Sequence, residues 1–463
     1  MKNLPSLPKE FEERMRYELG SGFDSFKESL QKPSPVSIRL NPNKASSIEG
    51  DKIPWAKYGR YLTERPIFTL DPALHAGAYY VQEASSMLLE QALMQSIDLS
   101  KPLRVLDLCA APGGKSTHIL SLINSNSLLV SNEVIRSRSA ILSENIQKWG
   151  HANVVVTCND PTDFKRLEGF FDVIVIDAPC SGEGLFRKDH NAVTEWSTEN
   201  VQLCSQRQRR ILSDVLPALK EEGILIYSTC TFNEQENENN LIWLAQEDAF
   251  NFLPLSLNRE WGVEMIQKEN AIGYRCYPHQ VKGEGFFISV MQKKTSTKQS
   301  RIKSKSRFTF ASKKIIGQLQ DWIHPSNQFD FIQQGSLLIT IPIALKEEIE
   351  FLQGQLHIVT KGSAMAEVKH DKLIPGHAFA LSINLHEEHF QKINLSLDHA
   401  LAYLRKEVFV LDEEKRGFAL VKYQENPLGW VNLLGNRFNN LYPSSWRIRM
   451  GSLMIITFLF IHY

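Results

Sequence analysis

Two cysteines of this chain each follow a short apolar run. Cys180 stands in DAPCSGEG after the run DVIVID, and Cys230 stands in STCT after the run GILIYS. The carboxyl ends of adjacent strands in an open α/β sheet border one crevice, where such sheets bind their ligands. A lone cysteine is usually a small buried hydrophobe. Two cysteines at matching strand ends instead predict a pair of thiols that face one cleft, with two purely structural cysteines as the alternative.

The chemistry that such a pair supports is nucleophilic addition. A thiolate that adds to C6 of cytosine makes C5 nucleophilic, so that C5 can attack the methyl group of S-adenosylmethionine. A second thiol can assist when the bond to C6 is broken again. Asp177, which ends the run before Cys180, is suitably placed to hold or donate a proton at N3 of the ring. Because the thiolate is the attacking form, we expect Cys230 to have a lowered pKa.

A stretch of small residues after the first apolar run predicts a ligand-binding turn, although a purely structural turn is the alternative. Glycines let the backbone approach a ligand closely, and a helix that begins near Lys115 would offer free N–H groups. Neither the dinucleotide fingerprint GxGxxG nor the phosphate loop GxxxxGK[ST] occurs there, which argues against a nicotinamide or a nucleoside triphosphate. The candidate ligand-binding residues are Cys109, Ala110, Ala111, Pro112, Gly113, Gly114 and Lys115.

Acidic residues follow the next two runs. Glu133 stands about 20 residues after the glycines, where a carboxylate can accept hydrogen bonds from ribose hydroxyls. Asp160 follows the third run and is the candidate for binding an adenine amino group, with Asp163 as its competitor. An isolated acidic residue is more often a surface charge, so the position of these residues at strand ends is what carries the prediction.

The elements that must position these residues are predicted by a repeated rhythm. Short Val/Ile/Leu runs alternate with amphipathic stretches between residues 103 and 291. Continuous apolar runs are typical of strands buried on both faces of a parallel sheet, so we predict a doubly wound α/β domain. The runs are residues 103–108, 127–132, 153–157, 172–177, 223–228 and 285–291.

Composition sets wider bounds. The 463 residues are 43% hydrophobic and 22% charged, which suits several globular domains. Lys+Arg and Asp+Glu both number 52, so any nucleic-acid contact must use a local basic face. The six cysteines show no zinc spacing, and we predict no metal. The N-terminus lacks the apolar segment of a signal peptide, so we expect free thiols in a reducing cytoplasm. We also expect a monomer without a membrane partner.

The sequence pattern divides the chain into six parts. Residues 1–100 mix short helices and loops, and residues 101–292 form the α/β domain. The basic stretch KKTSTKQSRIKSKSR at 293–307 predicts a flexible linker that is also able to touch RNA phosphates. An intermediate α/β region at 308–390, a β-rich module at 391–450 and an atypical apolar tail at 451–463 follow. The tail is too short to span a membrane as a helix.

Three motifs of the α/β domain together resemble the Nop/Sun family of RNA cytosine-5 methyltransferases. They are CAAPGGKS, DAPCSGEG and STCTFNEQENE, and they occur in the family's order and at fitting spacing. The resemblance implies a Rossmann-like methyltransferase domain that binds S-adenosylmethionine through residues 109–115, Glu133, Asp160 and Asp177. It further implies that Cys230 is the nucleophile and that Cys180 helps to release the product.

The resemblance extends to both ends of the chain. The segment SIRLN at 37–41 looks like the family's N-terminal RNA-contacting segment, and residues 77–86 are similar to its pre-catalytic segment. Residues 428–448 resemble the PUA-like RNA-binding module of bacterial members that modify 16S ribosomal RNA. Exposed aromatics among basic residues suit base stacking, but Trp430 and Trp446 taken alone are more typical of a small β-module's core.

Three hypotheses remain open from the sequence. The first is cytosine-5 methylation of 16S ribosomal RNA, and the second is the same reaction on transfer RNA. The third is a non-catalytic RNA-binding factor for ribosome assembly. The two cysteines and Asp177 argue against the third, because a binding protein has no need of them. The C-terminal module favours ribosomal RNA, by analogy only.

Overall fold

A computed structural model describes residues 6–246, 249–297, 308–370, 372–411 and 415–450. Most of the predicted basic linker and the whole apolar tail, 451–463, therefore lie outside the described residues. Among the described residues, no helix is both long enough and apolar enough to cross a membrane. In the same residues, no group of three or more His, Cys, Asp or Glu side chains is arranged to hold a metal ion.

The N-terminal region combines two helices, which pack against each other, with a small sheet. The sheet order is β2-β3-β1-β4, with antiparallel pairing throughout. Apolar side chains of the first two helices, Phe11 and Phe26 among them, pack against Phe186 and Phe232 of the central region. The elements are α1 (Lys9–Leu19), α2 (Phe23–Gln31), β1 (Val36–Leu40), β2 (Asp51–Lys52), β3 (Gly59–Leu62), α3 (Pro72–His75), β4 (Tyr79–Val81) and α4 (Leu89–Ser96).

The central region is a doubly wound α/β domain, as predicted. Its five parallel strands lie in the order β9-β8-β5-β6-β7, with an apolar cluster on each face of the sheet. The elements are β5 (Arg104–Asp107), α5 (Gly114–Leu120), β6 (Leu128–Asn132), α6 (Arg136–Trp149), β7 (Val154–Thr157), β8 (Phe171–Asp177), α7 (His190–Glu195), α8 (Thr198–Val215), β9 (Leu219–Thr229), α9 (Glu238–Gln246), β10 (Phe250–Phe252), β11 (Glu264–Lys268), β12 (Ala271–Cys276) and β13 (Phe286–Lys293).

The last apolar run corrects the expectation of a purely parallel sheet. It forms β13, which pairs antiparallel with β9 and with β12. Strands β11 and β12 form a hairpin that precedes β13, so the chain returns to the sheet edge in the opposite direction. Strand β13 is buried between two neighbouring strands, so it is as apolar as the parallel strands of the sheet. An apolar run alone does not show the direction of its strand.

The intermediate region is joined to the central sheet by one of its own strands. Strand β16 pairs antiparallel with β7 and completes a sheet that has ten strands within the described residues. The other strands form a separate antiparallel sheet in the order β14-β15-β17-β18. The elements are α10 (Lys313–Leu319), β14 (Phe329–Gln334), β15 (Leu337–Pro342), α11 (Lys346–Gln353), β16 (Ile358–Lys361), β17 (Ser363–Lys369), β18 (Lys372–Pro375) and α12 (His377–Ala380).

The C-terminal module is a four-stranded sheet with one helix, as its strand pattern indicated. Trp430 is fully buried and donates its indole N–H to the carbonyl of Gly376, so it is a core residue, as predicted. Trp446 is half-buried and packs edge-on against His377. The elements are β19 (Gln391–Leu395), α13 (Leu397–Arg405), β20 (Arg416–Tyr423), β21 (Asn426–Leu434) and β22 (Phe438–Asn440).

Candidate active site

The thiols of Cys180 and Cys230 meet at the carboxyl end of the sheet. Strands β8 and β9 are parallel neighbours with Asp177 opposite Ser228, so both cysteines leave the sheet on the same edge. Their Sγ atoms are 3.0 Å apart, and both residues line a cleft of about 870 Å³. The sequence prediction that the two thiols face one cleft is confirmed, while the roles assigned to them remain predictions.

The thiol of Cys180 holds its proton more strongly than a free cysteine does. The hydrogen bond to Cys230, together with burial and the nearby carboxylate of Glu236, raises the pKa of Cys180 well above its ordinary value. Cys180 therefore keeps its proton at neutral pH. The S–H of Cys180 is then available as the donor of the hydrogen bond between the two sulfur atoms.

The buried side chain of Glu236 links the loop that contains Cys180 to the loop that contains Cys230 through hydrogen bonds. The carboxylate of Glu236 accepts hydrogen bonds from the backbone and hydroxyl of Ser181, next to Cys180, and from Gln208 on α8. The hydroxyl of Ser181 also contacts that of Thr231, next to Cys230, at 3.1 Å. Burial raises the pKa of Glu236 to about 7. These bonds fix the separation of the two sulfur atoms, because they link the residues directly after each cysteine.

Close backbone packing adds a second constraint on the cysteine loops. The N–H of Gly184 donates to the carbonyl of Cys230 at 2.9 Å, and the N–H of Gly285 donates to the carbonyl of Gly184. A Cβ at position 184 would lie 2.4 Å from the Gly285 oxygen and 2.8 Å from the Cys230 oxygen. Only glycine fits this position, since both neighbouring atoms belong to the backbone.

Asp177 connects the thiol pair to the small-residue turn. Its Oδ2 lies 2.8 Å from the Nζ of Lys115, and its Oδ1 accepts a hydrogen bond from Ser228 at 2.8 Å. Asp177 and Cys109 line the same cleft as the thiols. The ion pair between Asp177 and Lys115 was not predicted. It joins two motifs that lie more than 60 positions apart in the chain, and no local pattern indicates it.

The turn at 109–115 has the form that a close ligand contact requires. Gly113 has a φ of +116° directly before α5, which begins at Gly114 and leaves the first N–H groups of its helix free. The hydroxyl of Ser116 donates to Asp107 at 2.6 Å. The other carboxylate oxygen of Asp107 is buried without a partner, and burial raises the pKa of Asp107 to about 7. The unpartnered oxygen belongs to the last residue of β5, just before the turn.

The second acidic candidate also lies in the cleft. Glu133 is buried at the end of β6, and its carboxylate accepts the N–H of Ile135 at 2.9 Å. Val134 and Ile135 are about half exposed in the same cleft wall, although they are large apolar residues. Arg138, which belongs to no predicted motif, donates to the carbonyl of Ala111 and lies 3.5 Å from Glu133. A carboxylate beside exposed apolar side chains suits a nucleoside.

Of the two candidates for binding the adenine amino group, Asp160 and Asp163, only Asp160 lines the cleft. Asp160 lines the cleft and accepts hydrogen bonds from Thr162 and from Arg210, the latter at 2.8 Å. Asp163 is not among the cleft residues, and its carboxylate is held by Asn159 and Arg166. The position of Asp160 therefore agrees with the predicted role in cofactor binding.

The prediction that residues 37–41 contact RNA is wrong for their polar side chains, which are buried. Arg39 is 1% exposed and donates to Gln82, Thr117 and the carbonyl of Gly114, while its guanidinium stacks 4.5 Å from the Trp149 ring centre. Ser37 and Asn41 are buried as well. The Arg39 side chain holds the first turn of α5, so it supports the ligand-binding turn instead of facing RNA.

The N-terminal helix α1 also contacts the loops around the thiol pair, and no sequence motif predicted this contact. Arg14 lies 2.7 Å from the fully buried carboxylate of Glu183, three residues after Cys180. Glu18 accepts hydrogen bonds from Arg275 and Tyr277 at 2.6 Å each. The first helix therefore neutralises a buried charge behind the thiol pair, and the active domain includes more of the chain than residues 101–292.

Comparisons with known protein families match most of the chain. Residues 94–292 match the family described as 16S rRNA methyltransferase RsmB/F. Residues 7–84 match the N-terminal domain of 16S rRNA methyltransferase RsmF, and residues 390–448 match the methyltransferase RsmF PUA domain. The three matches occur in the same order as the N-terminal region, the central sheet and the C-terminal module.

Individual proteins give the same result. The chain is 31% identical over 453 residues to ribosomal RNA small subunit methyltransferase F of Aliivibrio salmonicida. The matched region covers 93% of this chain and 94% of that protein. The protein of the same name from Escherichia coli O81 is 30% identical and covers 94% of this chain and 96% of its own length.

Solved structures agree on the fold. A methyltransferase homolog from Pyrococcus horikoshii matches with a TM-score of 0.53 and 28% identity, covering 62% of this chain and 96% of that one. NSun6 from Pyrococcus horikoshii, solved with SFG, has a TM-score of 0.54 at 20% identity and covers 63% of this chain and 100% of its own. At that identity, the second match supports the fold alone.

Proposed function

Because this chain belongs to the RsmF family of 16S rRNA methyltransferases, we propose that it methylates C5 of a cytosine in 16S ribosomal RNA with Cys230 as the nucleophile. The chain is an S-adenosylmethionine-dependent RNA cytosine-5 methyltransferase. One observation carries the proposed roles: the sulfur atoms of Cys180 and Cys230 lie 3.0 Å apart in one cleft. Two sulfurs that close can act on the same nucleotide.

Cys230 is proposed as the attacking thiol because it is the cysteine of the motif STCTFNEQENE, to which the family resemblance assigns this role. The Cys230 sulfur forms a bond to C6 of the cytosine, and the electron pair displaced from the C5–C6 double bond makes C5 nucleophilic. After C5 has taken up the methyl group, its proton leaves to a base and the bond between sulfur and C6 breaks. The raised pKa of Cys180 leaves an S–H beside the departing sulfur. That S–H stabilises the Cys230 thiolate as it leaves.

The residues around the turn fit S-adenosylmethionine, which supplies an electrophilic methyl group on its sulfonium. Glu133 can accept hydrogen bonds from the ribose hydroxyls, and the exposed apolar side chains of Val134 and Ile135 can pack on the adenine. Asp160 can accept from the adenine amino group at the edge of the same cleft. Of residues 109–115, Cys109 and Ala111 line the cleft and would lie against the amino-acid end.

Replacing Asp177 with asparagine tests the acid–base part of the proposal. Asp177 holds Lys115 at 2.8 Å and faces the cleft that contains both thiols. Without its charge, proton placement at N3 of cytosine is lost, and we expect kcat to fall about 10²- to 10³-fold. S-adenosylmethionine affinity should fall much less. A kcat within threefold of the unmodified enzyme, measured at saturating RNA and cofactor, would contradict the role.

The substrate is proposed from the relatives' names and from the C-terminal module. Transfer RNA is the alternative substrate, and a non-catalytic assembly role is the alternative from another class. Bisulfite sequencing of total RNA from cells with and without the gene distinguishes them. We expect one or more cytosines of 16S ribosomal RNA to lose protection when the gene is absent. Loss of protection in transfer RNA alone, or in no RNA, would contradict the proposed substrate.

We propose that the enzyme works as a monomer in the cytoplasm.

A further inference from the structure

One wall of the cleft is formed by a face of helix α8 that has no assigned function. Leu203, Gln206, Arg207 and Arg210 all line the cleft that contains Cys180 and Cys230. Their spacing of three and four residues places them on one side of the helix. The cofactor residues at Glu133 and Asp160 and the thiols account for other parts of the cleft lining, so this face is available to the second substrate.

The three arginines of this helix differ in their partners. Arg209 donates to Asn240 and lies over the Trp243 ring, and Arg210 is paired with Asp160 at 2.8 Å. Arg207 is exposed, and among the described residues no hydrogen bond or ion pair holds its guanidinium. An unpaired cation in a catalytic cleft is free to bind an anion of the substrate.

An apolar side chain stands one helical turn before Arg207. Leu203 is 59% exposed within the cleft wall, although leucine is usually buried. Residues four apart on a helix are surface neighbours, so Leu203 and Arg207 form one apolar and cationic pair. A nucleotide offers the matching combination, because its base and ribose have apolar faces and its phosphate is an anion.

We propose that Arg207 binds an RNA phosphate next to the target cytidine while Leu203 packs against the adjoining base or ribose. This inference rests on the proposed function. A cytosine that reaches Cys230 brings its own backbone phosphates into the same cleft, because they are covalently continuous with it. The carboxylate of S-adenosylmethionine is the competing anion in the cleft, so the KM for the cofactor is measured beside the KM for RNA.

The test is the substitution Arg207→Gln in the full-length enzyme, assayed on small-subunit ribosomal RNA from a strain that lacks the gene. We expect the KM for RNA to rise about tenfold, since a charge-assisted hydrogen bond is lost. The slope of log affinity against log salt should become shallower by about 0.7 for the loss of one phosphate contact with single-stranded RNA. The KM for S-adenosylmethionine should stay within twofold. Arg207→Lys, which keeps the charge, should restore most of the salt slope.

A matched control is Arg259→Gln. Arg259 is another exposed arginine, its side chain carries no ion pair within the described residues, and it does not line the cleft. An unchanged RNA KM and salt slope in Arg207→Gln would overturn the inference, as would a rise in the KM for S-adenosylmethionine alone. Failure of the unmodified enzyme to methylate this RNA would instead contradict the proposed function, so the two failures are distinguishable.

Discussion

Replacing Cys230 with alanine is expected to abolish methyl transfer while the cofactor still binds. The substitution removes the sulfur that adds to C6, and C5 of an unactivated cytosine is a poor nucleophile. Loss of a covalent nucleophile costs a rate factor on the order of 10⁴ or more. Cys230 lies beside Cys180 and follows β9, whereas the turn at 109–115 follows β5. Strand β8, which ends at Asp177, lies between β9 and β5. Transfer of radiolabelled methyl to RNA measures the activity, and calorimetry measures cofactor affinity.

The control for this prediction is Cys204→Ala. Cys204 is a buried cysteine of α8 that does not line the cleft, so it tests the effect of removing a thiol that has no chemical role. Its variant should keep activity within a few fold of the unmodified enzyme. A Cys230→Ala enzyme that retained a comparable rate would show that the covalent mechanism is wrong.

Replacing Cys180 with alanine is expected to trap a covalent complex between the protein and RNA. Cys230 can still attack C6, but the S–H that stabilises its sulfur during release is gone. We expect turnover to fall about 10³-fold, in the range of a lost general acid or base. The complex should appear as a band of lower mobility on a denaturing gel after incubation with S-adenosylmethionine and 16S ribosomal RNA.

Cys180→Ser separates loss of the S–H from loss of the side chain at this position. A hydroxyl can donate a hydrogen bond to the Cys230 sulfur, so the serine variant should accumulate less complex than the alanine variant. If Cys180→Ala turned over normally with no covalent band, the release role of Cys180 would be excluded. The attack by Cys230 would be unaffected by that outcome.

The parts of the site that are local in sequence were predictable. The six apolar runs became strands, α5 began one residue before the position expected from Lys115, and the two thiols emerged from adjacent strands. Each of these features depends on a continuous pattern of apolar and small residues. Such patterns report which residues are buried, and for five of the strands they were sufficient to predict the sheet edge at which the ligands bind.

The parts that depend on distant contacts were not predictable. Arg39 belongs to a segment expected to face RNA, yet it is buried against Trp149. Its hydrogen-bond partners on α5 lie about 75 positions further along the chain, so the local sequence does not indicate them. The pairing of Arg14 with Glu183 and the addition of β16 to the sheet likewise join residues far apart in the chain. Each pair satisfies a buried charge or an unpaired strand edge, and neither residue's local sequence identifies its partner.

The most direct test of the account is to locate the bond in the trapped complex. The Cys180→Ala protein is incubated with S-adenosylmethionine and 16S ribosomal RNA, digested with nuclease and protease, and analysed by mass spectrometry. We predict that the nucleotide is attached to the peptide containing Cys230 through its sulfur, and that the double variant Cys180→Ala/Cys230→Ala forms no complex. Attachment at Cys109 or any other residue, or a complex that persists in the double variant, would contradict Cys230 as the nucleophile.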